Sequence, residues 1–312
     1  RRLVIMILLR LVSLLRRVTT MSTADDMPNF NTREAVDFVI IGSGAAGGVL
    51  AKELSSEGFT VVVLEQGHYR TAADFKHDEL KIMFQNELLN HPGWNDPQTF
   101  RRFETETAEV MQGAPPPAFY ARGVGGSSVH FTANYWRFHQ SDFMERSMLG
   151  PMKGTGFADW PISYEELEPY YTQVEWECGV SGQPGPFEAP RSRPYPVPPL
   201  PVKSSGILFE QGARAMGLHP QPAPMAILSK PHNGRPACIH CGFCMGFGCE
   251  ANAKSSTLAS MIPLAEATGR CECRPLSTVV RSASNAGGRV TGGGFVVSRG
   301  QEQADYARAV MV

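Results

Sequence analysis

Two short apolar runs separated by a helical stretch form the most clearly patterned part of the chain. Residues 36–41 are apolar except for Asp37, and residues 60–64 form a second run that ends on Glu65. Short apolar runs rich in β-branched residues and bounded by glycine are typical of strands buried on both faces. With the stretch 45–58 between them, they predict a strand, a helix and a strand within about 30 residues, the size of a βαβ unit.

A capping-box pair begins the longest predicted helix. Ser163 and Glu166 are spaced so that each side chain can bond to the other residue's backbone N–H, and apolar side chains then recur at helical spacing as far as Cys178. Pro169 lies beyond the first turn, so we expect a kink or a restart there. Two further helices are predicted, over 205–217 and from 256 to about 269.

Three apolar runs at the end of the chain, residues 275–280, 289–297 and 306–312, are separated by glycine-rich turns. They predict a β-meander that returns to the sheet of the first two strands, and as the last strand 306–312 is expected to leave an unpaired sheet edge. The predicted fold class is α/β, a discontinuous Rossmann-like domain followed by the beginning of a substrate or cap domain.

Composition and charge narrow the class of protein. A hydrophobic fraction of 42% and a charged fraction of 19% are ordinary for a soluble globular protein with a sizeable core. The 29 Lys and Arg residues nearly balance the 30 Asp and Glu residues, so we expect no nucleic-acid partner. Arg10 interrupts the apolar beginning of the chain, and Arg16 and Arg17 follow it without a cleavage site, so neither a membrane span nor a signal peptide is predicted. Residues 1–30 are interpreted as a disordered or non-native leader, with an amphipathic membrane-surface segment as the alternative.

A glycine motif occupies the turn between the first predicted strand and helix. Gly42 permits a tight turn, Gly44 lets backbone approach a pyrophosphate, and Gly47 lets the helix pack closely on the strand. Ser43 and Ala45 lie in the same turn, at the positive end of the helix dipole. With Glu65 placed to accept from ribose hydroxyls, the combined pattern predicts dinucleotide binding.

A second glycine cluster follows at Gly125, Gly126, Ser127 and Ser128. Adjacent glycines followed by hydroxyls can converge on an anion or on a carbonyl-rich ring. A plain surface loop is the alternative, and the sequence alone leaves both interpretations open.

Four of the seven cysteines lie within twelve residues, at Cys238, Cys241, Cys244 and Cys249. Their C-x2-C steps resemble the ligand spacing of an iron–sulfur cluster, which we name as the candidate metal centre. A structural zinc site usually has two such pairs held farther apart. Reduced thiols and disulfides remain alternatives.

The motifs, taken in order, resemble the glucose–methanol–choline (GMC) family of FAD-dependent oxidoreductases over residues 35–312. Within that family the chain is similar to the large subunits of bacterial gluconate, glucose and fructose dehydrogenases. The matching motifs are Asp37–Gly47, Glu65–Gly67, Gly123–Ser128 and Trp160–Leu167. Sugar oxidases of the family usually carry Asn where Phe131 stands, which favours transfer of electrons to a partner over direct use of oxygen.

The resemblance implies FAD, with the first glycine motif at the pyrophosphate and Glu65 at the adenosine ribose. It places 125–128 near the flavin and the backbone of Val280, or of its neighbour Val279, at the adenine. It also implies hydride transfer to the flavin from the CH–OH group of an alcohol, sugar or sugar acid. The electrons would pass to an acceptor such as a cytochrome or a quinone-linked subunit.

The family's catalytic base is a His near the C-terminus of a longer chain, and residues 1–312 contain no counterpart. We therefore expect no catalytic residue here and assign that role to neither His130 nor His139. The chain is interpreted as part of a larger enzyme, inactive alone. A non-catalytic relic or electron-transfer protein that binds flavin or an iron–sulfur cluster is the alternative.

The resemblance also implies a domain division. The first part of the FAD domain is 31–140, a cap or substrate segment with a proline-rich loop and the cysteine cluster is 141–269, and 270–312 returns to the FAD domain. With no convincing signal of its own, the protein is expected in the cytoplasm, or associated with the membrane or periplasm through a partner subunit.

Overall fold

The computed structural model describes residues 30–31, 34–84, 99–101, 105–110, 119–297 and 302–311. These residues form two compact units. The first contains the described residues up to 132 together with 242–250 and 256–311, and the second contains 133–241 and 251–255. The predicted leader lies outside the described residues apart from Phe30.

The helices and strands follow one another along both units. In chain order they are β1 (Val36–Ile41), α1 (Ala45–Ser56), β2 (Val61–Leu64), β3 (Thr99–Phe100), β4 (Glu109–Val110), α2 (Glu145–Leu149), α3 (Tyr164–Cys178), α4 (Ser204–Ala215), α5 (Met261–Ala267), β5 (Cys271–Arg274), β6 (Ser277–Ser284), β7 (Val290–Val297) and β8 (Glu302–Met311).

A six-stranded sheet, counted among the described residues, organises the first unit in the order β5-β2-β1-β8-β7-β6. Strands β5, β2, β1 and β8 are parallel, and β6, β7 and β8 form the antiparallel meander that the sequence predicts. This arrangement confirms the α/β Rossmann-like fold.

The last described strand does not lie at an edge of the sheet, contrary to the expectation from sequence. Val36 of β1 is in register with Ala307 of β8, and Gly292 of β7 is in register with Tyr306 on the other side. The meander reverses twice, so it delivers β8 between β7 and β1, where both of its backbone edges find partners.

Apolar side chains cover both faces of the parallel strands. Val61 and Val63 belong to one buried cluster, whereas Val62 and Leu64 belong to another. Because successive strand residues point to opposite faces, this division confirms the prediction of strands buried on both sides. Ala51 of α1 and Ile262 of α5 pack into the first cluster.

The two compact units and the predicted domains are bounded at different residues. Residues 242–250 and 256–269, which the sequence division places in the cap, belong to the first unit. The packing of α5 against α1 accounts for the place of 256–269. Residues 133–140, predicted in the FAD domain, belong to the second unit.

The helix α3 of the second unit begins at the capping box that the sequence predicts. The Ser163 hydroxyl accepts from the Glu166 N–H at 3.2 Å, and the Glu166 carboxylate accepts from the Ser163 N–H at 2.8 Å. The helix continues through Pro169 without a break and ends at Gly179 in the left-handed region. The helix does not restart at Pro169, and side-chain bonds from Arg137 to Glu168 and Glu175 hold the turns on either side of it.

Among the helices that the structure describes, none has both the length and the apolar character needed to cross a bilayer.

Candidate functional site

The first glycine turn connects β1 directly to the N-terminus of α1. Gly42 has a φ of +89°, which an L side chain rarely adopts. A Cβ atom on Gly47 would lie 2.0 Å from the Gly42 carbonyl oxygen, so only glycine permits this approach of helix to strand. The N-cap of the twelve-residue α1 is Gly44, which supplies no side-chain hydrogen bond to the first-turn amides. Those amides are the groups that bind a phosphate at a helix N-terminus.

The space beside Gly44 is open. A Cβ atom on Gly44 would have no protein atom within 4 Å, and its φ of −61° suits any residue. The turn therefore has the shape of a cradle in which ligand, rather than protein, would meet the backbone.

The second glycine cluster packs on the first. The Gly125 N–H donates to the Ser43 hydroxyl at 3.0 Å. A Cβ atom on Gly126 would lie 3.0 Å from the Gly44 Cα. Gly125 and Gly126 both have positive φ angles, +94° and +53°. Two motifs more than 80 residues apart in sequence thus meet at one place. Ligand binding by the second cluster stays a prediction.

Each of the two serine hydroxyls makes a hydrogen bond to backbone of its own loop. The Ser128 hydroxyl donates to the Gly125 carbonyl at 2.5 Å, and the Ser127 hydroxyl accepts from the Ala121 N–H at 3.3 Å. Ser127 and Ser128 therefore fix the shape of the turn, and their predicted contact with a cofactor stays a prediction.

Thr257 joins both glycine turns, although the sequence gives it no role. Its hydroxyl donates to the Ser43 carbonyl at 2.9 Å and lies 3.4 Å from the Gly125 carbonyl, and its N–H donates to the Ser128 hydroxyl at 3.1 Å. The side chain is buried. The run of hydroxyl residues at 255–257, just before a predicted helix, is the one sequence signal that could have indicated it.

Glu65 lies at the end of β2 with its carboxylate directed at the first glycine turn. It is only 4% exposed. One oxygen accepts from the Ser43 N–H at 3.1 Å and from the Ser43 hydroxyl at 2.7 Å, and the other accepts from the Gly67 N–H at 3.0 Å. A carboxylate offers about four acceptor positions. Bonds from the described residues use three of them, which leaves one for the predicted ribose hydroxyl.

Val280 is the extra residue of a β-bulge. In the pairing of β6 with β7, Val279 faces Phe295 and Arg281 faces Gly294, so Val280 has no opposite residue. A bulged residue is left outside the ladder of hydrogen bonds. This is the property that a backbone contact with an adenine ring requires, and the side chain of Val280 is 56% exposed.

The first unit contains a cleft of about 750 Å³, and residues 66–70, which come directly after Glu65 in the chain, form part of its lining. Among the described residues that line it, cationic side chains outnumber carboxylates. The cations are Arg70, Lys76, Lys81 and Arg122, and the carboxylates are Asp74 and Asp78. The Arg70 guanidinium donates to the Arg122 carbonyl at 3.1 Å, which holds both arginines beside the second glycine loop. Such a surface favours an anionic ligand.

A buried acid lies behind Tyr69, one of the residues lining this cleft. The Tyr69 hydroxyl donates to the Glu266 carboxylate at 2.9 Å. Burial raises the pKa of Glu266 to about 7, and this hydrogen bond offsets only part of the effect. Burial also raises the pKa of the neighbouring Cys271 thiol to about 12, so that thiol stays protonated at neutral pH.

The cysteine segment does not form the predicted metal centre in this structure. Among the residues described, no group of three or more His, Cys, Asp or Glu side chains could hold a metal ion. His240, Gly242 and Gly246, which lie between the cysteines, have positive φ angles. None of the seven cysteines forms a disulfide. The iron–sulfur cluster thus has no structural support and rests on spacing alone.

Comparisons with known proteins agree with the fold. The profile of the NAD(P)-binding Rossmann-like domain family matches residues 40–102. In solved structures, a formate oxidase superposes with a TM-score of 0.52 at 17% identity, covering 88% of this chain and 44% of that one. Pyridoxine 4-oxidase from Mesorbium loti superposes with a TM-score of 0.51 at 19% identity, covering 88% and 48%. At such identities the likeness shows the fold alone.

Curated relatives share more of the sequence. The gluconate 2-dehydrogenase flavoprotein of Pantoea cypripedii is 29% identical over 90% of this chain and 51% of its own length. The fructose dehydrogenase large subunit of Gluconobacter japonicus is 30% identical over 69% and 41%. The 2-methyl-1,2-propanediol dehydrogenase of Mycolicibacterium austroafricanum is 33% identical over 67% and 36%. The chain spans between about a third and about half of the length of these relatives. Their ordered likeness, together with the mixed Rossmann-like sheet and its paired glycine turns, shows that the chain belongs to the glucose–methanol–choline family of FAD-dependent oxidoreductases.

Proposed function

We propose that this chain binds FAD and forms part of an oxidoreductase that removes a hydride from the CH–OH group of an alcohol, sugar or sugar acid. The observation that carries the proposal is the meeting of the two glycine turns at the N-terminus of α1, fixed by the bond from Gly125 to Ser43. Three relatives named as dehydrogenases of gluconate, fructose and a propanediol support the substrate class.

The residues fit FAD because the groups they present match its parts. The open amides at Gly44 and Ala45 would bind the pyrophosphate, and the remaining acceptor position of Glu65 would bind the adenosine ribose. The bulged backbone at Val280 would contact the adenine, while Arg70 and Arg122 would neutralise phosphate charge. When bound, the flavin supplies the hydride acceptor.

The chemical step needs a base to take the hydroxyl proton. Neither His130 nor His139 is proposed for this task, and the family's catalytic His has no counterpart in residues 1–312. We therefore propose that the chain alone binds FAD without oxidising an alcohol, and that the electrons of the whole enzyme pass to an acceptor partner. The four cysteines are kept as an iron–sulfur hypothesis only.

Two glycine substitutions separate ligand binding from folding. Gly44→Ala places a Cβ where no protein atom lies within 4 Å, so stability should be kept while FAD binding weakens about tenfold, or ~1.4 kcal/mol. The matched control is Gly212→Ala in α4, which also meets nothing within 4 Å; it should leave FAD affinity unchanged and raise stability by up to ~1 kcal/mol, because alanine favours a helix interior. Flavin fluorescence during titration and thermal unfolding without flavin measure the two effects. Equal FAD affinity in Gly44→Ala and the parent chain would refute the cradle.

A separate measurement tests the activity. The flavin-loaded chain is mixed with gluconate, fructose or 1,2-propanediol and an artificial electron-accepting dye, and no dye reduction is expected. Turnover would show that residues 1–312 contain their own base. Iron in elemental analysis after anaerobic purification, with broad absorption near about 400 nm, would support the cluster, whereas zinc in colourless protein would contradict it.

A further inference from the structure

The second unit contains a cavity of its own, of about 250 Å³. Three aromatic rings and several polar side chains line it, among them Trp136, His139, Phe187, Glu188, Tyr195 and Gln221. All of these residues belong to the second unit, so the cavity shares no residue with the glycine turns of the first unit. A volume of this size suits a ligand smaller than most drug-sized molecules.

The guanidinium groups of the lining already have carboxylate partners. Arg137 donates to both oxygens of Glu175 at 2.8 Å and to Glu168 at 2.9 Å. Arg191 also bonds to Glu175, lies 3.7 Å from the Glu188 carboxylate and stacks 3.7 Å from the centre of the Tyr195 ring. Both arginine side chains are less than a tenth exposed.

This pairing argues against an ionic ligand. A charged molecule that enters the cavity loses its hydration. The lining guanidinium groups and the Glu188 carboxylate compensate little for that loss, because each already has a partner of opposite charge. An uncharged ligand loses less on entry, and it needs only hydrogen bonds and apolar contact.

The remaining lining offers both of these. Trp136 and Phe187 are 62% and 71% exposed, so their faces are available to the apolar side of a ligand. The Glu188 carboxylate accepts from the Tyr195 hydroxyl and the Gln221 amide at 3.2 Å. These groups form a polar edge that can exchange hydrogen bonds with ligand hydroxyls.

We propose that this cavity binds a small uncharged polyhydroxylated molecule, a monosaccharide or a shorter polyol. Such a molecule presents C–H groups to aromatic rings and hydroxyls to the polar edge. The proposal goes beyond FAD binding and does not depend on it, because each of its residues lies in the second unit.

Tryptophan fluorescence of the complete chain tests the site with four probes: glucose, glycerol, gluconate and ethanolamine. We expect saturable changes with glucose or glycerol and none at equal concentrations of the anion gluconate or the cation ethanolamine. Tighter binding of either ionic probe, or no saturation with both neutral probes, would overturn the proposal.

Two tryptophan variants locate the response. Trp136→Phe should abolish the fluorescence change, whereas Trp160→Phe should keep it, because Trp160 is 53% exposed but does not line the cavity. Both positions are on the surface, so both variants are expected to fold. Loss of the response in Trp160→Phe with retention in Trp136→Phe would place binding elsewhere and refute the site.

Glu188→Gln tests the polar edge. It should weaken glucose or glycerol binding about tenfold by removing charge-assisted hydrogen bonds. Unchanged affinity in a variant whose circular dichroism matches the parent chain would contradict the role given to Glu188.

Discussion

In the first unit, short side chains and backbone amides hold the two glycine turns together. The Ser43 hydroxyl accepts from the Gly125 N–H, and the Thr257 hydroxyl contacts the carbonyls of both Ser43 and Gly125. In the second unit, long charged side chains anchor α3, and Arg137 alone bonds to Glu168, Thr172 and Glu175. The first arrangement keeps open amides facing a ligand. The second uses its charges internally, so the two regions should respond differently to substitution.

The largest expected effect is in the second unit. Among the described residues, Arg137→Met leaves Glu175, which is 1% exposed, with Arg191 as its remaining cationic partner. Removing one member of a buried ion pair costs about 3–5 kcal/mol of unfolding free energy. Urea unfolding followed by tryptophan fluorescence measures the loss.

Arg214→Met is the matched control for Arg137→Met. Arg214 pairs with Glu210 on the surface of α4, with its side chain 60% exposed. A surface pair of this kind contributes about 0.5 kcal/mol or less. Similar losses in the two variants would mean that the Arg137 network is no more important for stability than a surface contact.

The next effect contrasts the buried acids of the two units. Glu266 of the first unit has a tyrosine hydroxyl rather than an arginine beside it, and burial raises its pKa to about 7. A raised pKa favours the folded state when the group is protonated, so this contribution is complete below about pH 4.5 and is lost as the pH rises through 7. From pH 5 to pH 8 the unfolding free energy of the parent chain should fall by up to about 3 kcal/mol. Glu266→Gln cannot titrate and should flatten that slope in urea titrations at each pH.

Glu168 of the second unit provides the opposite case. Burial acts to raise its pKa, but hydrogen bonds from Ser192, Thr172 and Arg137 lower it to about 2. Its contribution is complete above about pH 4.5 and is lost as the pH falls toward 2, so it does not overlap the Glu266 window. If the unfolding free energy of Glu266→Gln still falls between pH 5 and pH 8, a group other than Glu266 causes the fall.

The smallest effect concerns the contacts between the glycine turns. Thr257→Val keeps the shape of the side chain and removes the hydroxyl that donates to the Ser43 carbonyl. We expect a loss of about 1–2 kcal/mol in thermal or urea unfolding, together with weaker FAD binding. Thr257→Ser restores the hydroxyl, so it should recover most of the FAD affinity. Full FAD affinity in Thr257→Val together with a loss in Thr257→Ser would assign the role of Thr257 to its methyl group instead.

The same comparison shows how much of the molecule could be predicted from sequence. The strands around Gly42 and the roles of Gly42 and Gly47 follow from local pattern, because each depends on residues within one βαβ unit. The contact of Gly125 with Ser43 does not follow, since it depends on how distant segments pack. The two glycine motifs identify the residues of each turn, but neither motif shows that the two turns are in contact.

The second unit was less predictable for the same physical reason. Arg137 bonds to partners 27 to 38 residues away, and no local rule relates a lone arginine to acids at that distance. The restart expected at Pro169 assumed an isolated helix, whereas these tertiary bonds hold the helix intact. For the cysteines, spacing along the chain does not determine where the thiols point, and among the described residues they do not form a group that could hold a metal ion.

The central position of β8 has a consequence for how the first unit folds. Val36 and Ala307, which pair across the middle of the sheet, are about 270 residues apart in sequence. Contacts of such high sequence separation form slowly, because the entropy of closing the loop is lost before the contact stabilises anything. On the ribosome, β1 and β2 would emerge long before their outer partners β8 and β5 and would have to wait with both outer edges unpaired. The early strands of this sheet are therefore the segments for which a chaperone would matter most during synthesis.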